Sequence, residues 1–468
     1  MIRYLPLLGV LVFASSASAH VGQLTQLQGK AGCVAQQNAP KGVKKGCTVA
    51  RFGGHQMWDA VASPDGRNLY VASIGGAVSV LRIDKHGRLH QHPGRAGCFS
   101  RSGSVGCTVT PPLNASQTIA ISRDGRNVYV GSTAPGTGFG GVVVFARNRK
   151  TGALHRVGCM GENGAHGCVA ANALLQQVRE IAVSRDGRRV YVGSNSADPG
   201  GARHGALTVF ARAANGSLTE SACLNGDGSL GCTQVRGLLP DCCGIAISPN
   251  SRNIYASSSQ TELSPGTLAS QSASFALASF ANGPAGLTQL TGTAGCLNQD
   301  GHDGCRAVAF RHPDPVNLAG RVLISPDGRS IYLAHVSQPT DFEAGSCDGP
   351  DNFIAGFTRN AVDGTLGLLG QDVRTCGSKP VMSPDGSNLY ATTGNFGREL
   401  SLFLRFAHSG AITPMRCVAS GVKGCRHARH LTAPSAMAIT PNGRYAYVIS
   451  DDPVSGETIG VFRRSARR

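Results

Sequence analysis

Seven turns headed by Ser or Thr punctuate this chain, and the residue four places before each is where chemistry could gather. Those residues are Asp59, Thr118, Glu180, Gly244, Arg321, Lys379 and Ala436. Two carboxylates and two cations brought to one spot could hold a polar ligand or polarise a carbonyl group. Asp59, Glu180, Arg321 and Lys379 are therefore the catalytic candidates. The plainer expectation is a ring of ion pairs that neutralise one another and serve the scaffold.

Positive charge is the second resource. The formal net charge is +17. Residues 20–58 hold Lys30, Lys41, Lys44, Lys45 and Arg51 and no acid, and residues 398–468 hold eleven Lys or Arg against four Asp or Glu. Lys41, Lys44, Lys45, Lys423, Arg426 and Arg429 are expected to form one patch if the chain ends meet. Such a patch would attract an anionic polymer or a cell-envelope surface. The alternative is a solubilising surface with a frayed tail at Arg463, Arg464, Arg467 and Arg468. No nucleic-acid motif is present and Trp58 is the only tryptophan, so sequence-specific nucleic-acid binding is not expected.

Other chemistry is thinner. Cys417, Cys425, His427 and His430 have ligand-like spacing, but zinc needs thiolates and these cysteines have many paired counterparts. The loops at Asn225–Asp227 and Asp300–Asp303 lack a full acidic ladder and read as turns. No metal or cofactor is expected. No G-x-S-x-G elbow occurs, and His55, His204, His312 and His335 fall in no triad pattern. Asn114 and Asn215 head N-x-S sequons.

The elements that must position these residues come from a repeat. SPDGRNLYVAS at Ser63 recurs from Ser122, Ser184, Ser248, Ser325, Ser383 and Thr440. Pro64 presets φ, Asp65-Gly66 supplies the turn, and apolar runs flank it, as a β-hairpin requires. A V-x-V-F strand and a G-x-L strand follow each hairpin, giving four strands per unit. The copies start 57 to 77 residues apart. The chain opens with a fourth strand at 23–28 and stops after a third strand at Phe462. The expected fold is all-β: a closed seven-bladed β-propeller of four-stranded blades, with the N-terminal strand completing the C-terminal blade. An open solenoid would need capping ends instead. Six copies carry Arg after the turn (Arg67, Arg126, Arg188, Arg252, Arg329 and Arg444), with neighbouring acids expected to offset much of that charge.

Sixteen cysteines follow the repeat. Six pairs each flank one loop: Cys33 with Cys47, Cys98 with Cys107, Cys159 with Cys168, Cys223 with Cys232, Cys296 with Cys305, and Cys417 with Cys425. They read as local disulfides, worth about 2–3 kcal/mol each. Cys347 and Cys376 fall in loops of one face and could pair. Cys242 and Cys243 form a vicinal disulfide or stay reduced. Arg3, the apolar run Leu7–Phe13 and Ala17-Ser18-Ala19 read as a signal peptide over 1–19. The domain is then 20–468, secreted or periplasmic, without a transmembrane segment, and monomeric.

The SPDGRxLYVA repeat and its V-x-V-F strand resemble bacterial YVTN-type propellers, and more specifically the seven-bladed lactonase-like family. The resemblance spans nearly all of the chain after residue 19. Family enzymes open lactone rings at the channel mouth, which implies a lactone hydrolase as one function. Family lactonases often carry a Gly-Pro-Arg-His-type segment entering a first strand. Here the corresponding positions read Gln117-Thr118, Arg179-Glu180, Gly320-Arg321 and Ser378-Lys379. The leading expectation is accordingly a disulfide-stapled binding module for an anionic partner, with the hydrolase as alternative and a purely structural envelope protein as a third reading.

Overall fold

The turn motif works through its own side chains. Ser63 Oγ donates to Asp65 Oδ1 at 2.6 Å, the Arg67 amide donates to the same oxygen at 3.1 Å, and Gly66 takes φ +68°. The Ser63 amide closes the hairpin on the Asn68 carbonyl at 2.9 Å. The later copies repeat this arrangement, with Asn250 and Asn442 in place of the aspartate.

The computed structural model describes residues 21–466 except 134–139, 163, 172–173, 198–201, 264–269, 309–317, 337–351, 376, 378, 394–397 and 453–455. The expectations for the signal peptide, for Cys347 and Cys376, for His312 and for the side chains of Cys243 and His335 lie outside what is described. The described strands form seven sheets. Their inner strands are Met57–Ala62, Thr118–Ile121, Gln177–Val183, Asp241–Ile247, Leu318–Ile324, Lys379–Met382 and Pro434–Ile439. Each packs on the next, and Pro434–Ile439 packs on Met57–Ala62. The architecture is an all-β propeller. At its seam Leu24–Gln26 pairs antiparallel with Gly456–Arg464, so the first strand of the chain joins the last sheet.

The cysteine loops are closed as their spacing suggests. Cys33 is bonded to Cys47, Cys98 to Cys107 and Cys159 to Cys168. Cys223 is bonded to Cys232, Cys296 to Cys305 and Cys417 to Cys425. Cys242 is also disulfide-bonded, which excludes its reduced form. What the spacing did not announce is that six of the seven sheets carry five or six described strands and not the four expected. After the second cysteine of each of the six loops a short strand runs parallel to the outer strand, as Thr108–Val109, following Cys107, does beside Cys98–Ser100. The six disulfides hold Cα atoms 4.6–4.8 Å apart. That is close to the spacing of neighbouring strands, so the limb returning from Cys107, Cys168, Cys232 or Cys305 falls naturally onto the sheet edge.

The core lies between sheets. The tyrosine of each repeat is fully buried: Tyr70, Tyr129, Tyr191, Tyr255, Tyr332, Tyr390 and Tyr447. Tyr70 donates to the Gly152 carbonyl of the next sheet at 2.8 Å and accepts from Arg147 Nε at 2.7 Å. Arg147 also reaches Asp65 at 2.8 Å and the Gly125 carbonyl at 3.1 Å. Arg212, Arg405 and Arg464 repeat this staple, on Tyr129 and Asp124, on Tyr332 and Asp327, and on Tyr390 and Asp385. Arg359 does so on Tyr255 with Asn253 as acceptor. Arg464 therefore does not belong to a frayed tail: it is 3% exposed and clasps the seam.

Candidate functional site

The seven positions singled out in the sequence fall within the first four residues of the inner strands, towards the disulfide loops. In five strands the pairing with the second strand slips at this point. The slips fall between Met57 and Asp59, Val178 and Glu180, Cys242 and Gly244, Ala319 and Val322, and Pro434 and Ala436. Such bulges re-aim a side chain and free it from strict alternation. The sequence reading missed them, and no residue type in these segments announces them. Gly244 has its own reason: an added Cβ would come within 2.8 Å of the Val322 amide and 2.9 Å of the Gly320 carbonyl. Its absent side chain lets the strand bearing Arg321 approach.

Three of the four charged candidates converge. Arg321 Nε donates to Glu180 Oε2 at 3.0 Å and Arg321 Nη2 to Asp59 Oδ2 at 3.2 Å. Asp59 also accepts the Ile119 amide at 3.2 Å. The Asp59 side chain is only 5% exposed, while Glu180 and Arg321 keep 16% and 21%, so the guanidinium and Glu180 face the opening. Burial opposes the charge on Arg321, but Glu180 and Asp59 outweigh it and hold its pKa above the usual arginine range. Glu180 moves the other way for its kind. Burial raises its pKa, Arg321 and Lys379 only partly offset that, and Asp59 adds to the rise. One guanidinium shared by two carboxylates leaves the second incompletely compensated.

Lys379 stands apart from that trio. Its amine donates to the Trp58 carbonyl at 2.9 Å and lies 3.8 Å from the Trp58 ring centroid, a cation–π contact. Burial pulls its pKa down to about 7, a fall that Asp59 and Glu180 only partly offset and that Arg321 deepens. An amine near neutrality can accept or release a proton at working pH. Glu457 is a group the sequence reading did not flag. It is 6% exposed, and burial followed by Asp451 pushes its carboxyl up to about 8. The amides of Gln56 and Met57, just before Trp58, oppose that rise.

The remaining candidates divide. Lys41, Lys44 and Lys45 lie on the short helix Lys41–Gly46, whose last residue sits beside Arg429 and His430. Lys423 and Arg426 sit at the edge of the neighbouring sheet, and Arg426 donates to Gln23 Oε1 at 3.4 Å. Arg429 is a scaffold residue. It donates to the carbonyls of Gly29 (2.7 Å) and Gly46 (3.5 Å), while Gln26 clasps its backbone. Arg51 with Gln91, and Arg236 with Gln289, make the same clasp. The recurring glutamine seven residues before Cys33, Cys98 and Cys296 was the available signal.

Cys417 and Cys425 are joined to each other, so they offer no thiolate, and His430 stands instead by the disulfide of Cys33 and Cys47. A cavity of about 580 Å³ is lined by His204, Asp227 and Arg236 among others. There Asp227 Oδ2 (2.9 Å) and Ser229 Oγ (3.0 Å) both meet His204 Nδ1. Acid and hydroxyl on one nitrogen cannot relay a proton through the ring as a triad does. The Asn225 and Asp300 loops are turns, with side-chain oxygens accepting the Gly228 and His302 amides.

No protein-family model and no curated protein sequence matches this chain. Solved structures do. The chain is similar to hydrazine synthase of Kuenenia stuttgartiensis at 13% identity, with 89% of this chain and 97% of that chain covered and a TM-score of 0.50. It is also similar to the periplasmic gluconolactonase of Pseudomonas aeruginosa at 18% identity, with 78% and 85% covered and a TM-score of 0.49. At 13% identity the likeness to the hydrazine synthase speaks for the β-propeller fold alone.

Proposed function

We propose that this chain is a closed, seven-bladed, disulfide-stapled propeller that works outside the cytoplasm as a binding module for an anionic partner. Seven sheets, inner strands that pack in sequence around the ring and the pairing of Leu24–Gln26 with Gly456–Arg464 support the architecture. Six local disulfides support an oxidising compartment. The observation that carries the binding role is a contrast in charge commitment. Arg321 is spent on Asp59 and Glu180, whereas Lys41, Lys44, Lys45, Lys423 and Arg426 have no carboxylate partner among the described residues. The test is retention of the purified protein on a polyanion resin across a salt gradient. Wild type elutes late, and Lys41→Ser/Lys44→Ser/Lys45→Ser elutes earlier. Elution of wild type at the bottom of the gradient sinks the reading, and unchanged elution of the variant removes the helix from it.

A second reading is favoured by Lys379. A lactone hydrolase here would use its neutral amine to take a proton from water as the oxygen attacks the ring carbonyl. Arg321 would steady the developing oxyanion, the ring C–O bond would break, and the proton would pass to the leaving alkoxide to give a hydroxy acid. A broad lactone panel tests it. Ring opening that falls in Lys379→Met, Glu180→Gln and Arg321→Ala supports it, and no turnover, or turnover indifferent to all three, rejects it.

A further inference from the structure

On the turn face, neighbouring acids were expected to offset much of the arginine charge. The staples change that accounting. Asp65 and Asp124 are engaged from beneath by Arg147 and Arg212, whose side chains are 1% and 6% exposed. Each aspartate is cancelled by a buried cation of the next sheet and is no longer available to a surface arginine. Arg67, Arg126, Arg149 and Lys150 remain, all exposed and none with a carboxylate partner among the described residues. These four cations and the two engaged aspartates line a groove of about 880 Å³ between the first two hairpin turns. One sheet further on, burial and the nearby charge of Arg123 together lower the pKa of Arg185. Exposed cations continue past the groove to Arg123 and Arg185, while at the third turn the exposed Asp186 offsets the charge of Arg188. Like charges at this spacing oppose one another, and an anion laid among them relieves that cost.

We propose that this turn-side groove binds an acidic polysaccharide, sulfated or carboxylated. Guanidinium groups pair with planar and tetrahedral oxyanions through paired N–H donors. Cations set in a row match a linear chain that carries one charge after another. The groove is lined by no aromatic side chain for stacking bases and no large apolar side chain for entering a membrane. It lies on the face opposite the disulfide loops, so it does not rest on the Lys41–Lys45 patch.

The probes are a size-defined heparin oligosaccharide and a polygalacturonate oligomer, measured on wild-type protein at about 0.15 M salt. Arg126→Ser/Arg149→Ser/Lys150→Ser is expected to lose at least about tenfold in affinity for one or both, or ~1.4 kcal/mol. Its loss should exceed that of Lys41→Ser/Lys44→Ser/Lys45→Ser. A loss no greater than that of the helix variant overturns the proposal. So does tighter binding of wild type to duplex DNA or to anionic lipid vesicles than to both oligosaccharides. If the turn variant melts at a lower temperature than wild type, Lys150→Glu gives the same reading, because no partner of its amine occurs among the described residues. If the helix variant alone weakens binding, the polyanion reading stands and the turn groove falls. If the turn variant alone does, the turn groove stands and the helix Lys41–Gly46 drops out of the polyanion reading.

Discussion

Arg321 and Arg464 are both guanidiniums held on carboxylates, yet they belong to different kinds of site. Arg464 is one of five staples built alike, on Tyr390, Asp385 and the Gly443 carbonyl, and its side chain is wholly buried. Its residue type recurs at five of the seven junctions where one sheet clasps the next. Arg321 occurs once. It crosses the ring from one inner strand to two others, bridging Asp59 and Glu180 from sheets far apart in the chain. Repetition marks scaffold because every seam poses the same problem. A charge found at one position of seven answers a problem the scaffold does not pose, and Lys379 on Trp58 is of the same solitary kind.

The comparison can be broken at Arg321 first. Arg321→Met should destabilise the fold by about 3–5 kcal/mol in a denaturant titration, because the buried Asp59 and the half-buried Glu180 lose their shared partner. A loss below about 1 kcal/mol would mean that solvent already compensates them and that the mouth is open. Arg464→Met comes next, at about 2 kcal/mol, since Asp385 can still turn to water while Tyr390 loses one partner. If the two losses prove equal, the distinction between solitary and repeated arginines has no energetic content.

The pH profile sharpens the contrast further. The folded state holds Lys379 at about 7, below the ordinary lysine value, so the unfolded chain binds more protons between them. Stability from this group rises as pH climbs from about 7 towards the ordinary lysine value, and Lys379→Met should flatten that rise in thermal melts. Glu457, raised to about 8, acts in the opposite sense. The folded chain binds more protons from the usual glutamate pKa up to about 8, so stability falls across that window and Glu457→Gln should remove the fall. The smallest effect is expected at Asp385. Burial raises its pKa, but Ser383, Ser387 and Arg464 outweigh burial and hold it at about 2. Its contribution is complete above the ordinary aspartate value and fades as pH drops towards about 2. Asp385→Asn should remove that acid dependence, and it costs stability at neutral pH as well, because the buried Arg464 loses its carboxylate.

Much of the scaffold was legible because it repeats. The turn residues of SPDGRNLYVAS, the cysteine pairs and the complementary chain ends each carry a local rule that shows in the order of residues. The pairing of Cys98 with Cys107, or of Cys296 with Cys305, needs nothing beyond its own loop. The extra parallel strand was not legible, since its two residues have no pattern and gain a place only when the disulfide lays them on a sheet edge. The candidate site was half legible. Counting back from the turns found Asp59, Glu180, Arg321 and Lys379, but not which of them would meet. Arg429 misled because an arginine that clasps carbonyls looks, in sequence, like one that faces water.

What the sequence determined by itself is the unit: a hairpin turn, a V-x-V-F strand and a closed cysteine loop, all set by contacts within a few dozen residues. Only the tertiary structure decided how charges were spent. Asp65 answers Arg147, and Asp59 answers Arg321 across 262 positions of chain. Such pairings depend on which strand ends the ring brings together and on bulges that turn a side chain inward, and neither is written in any one segment.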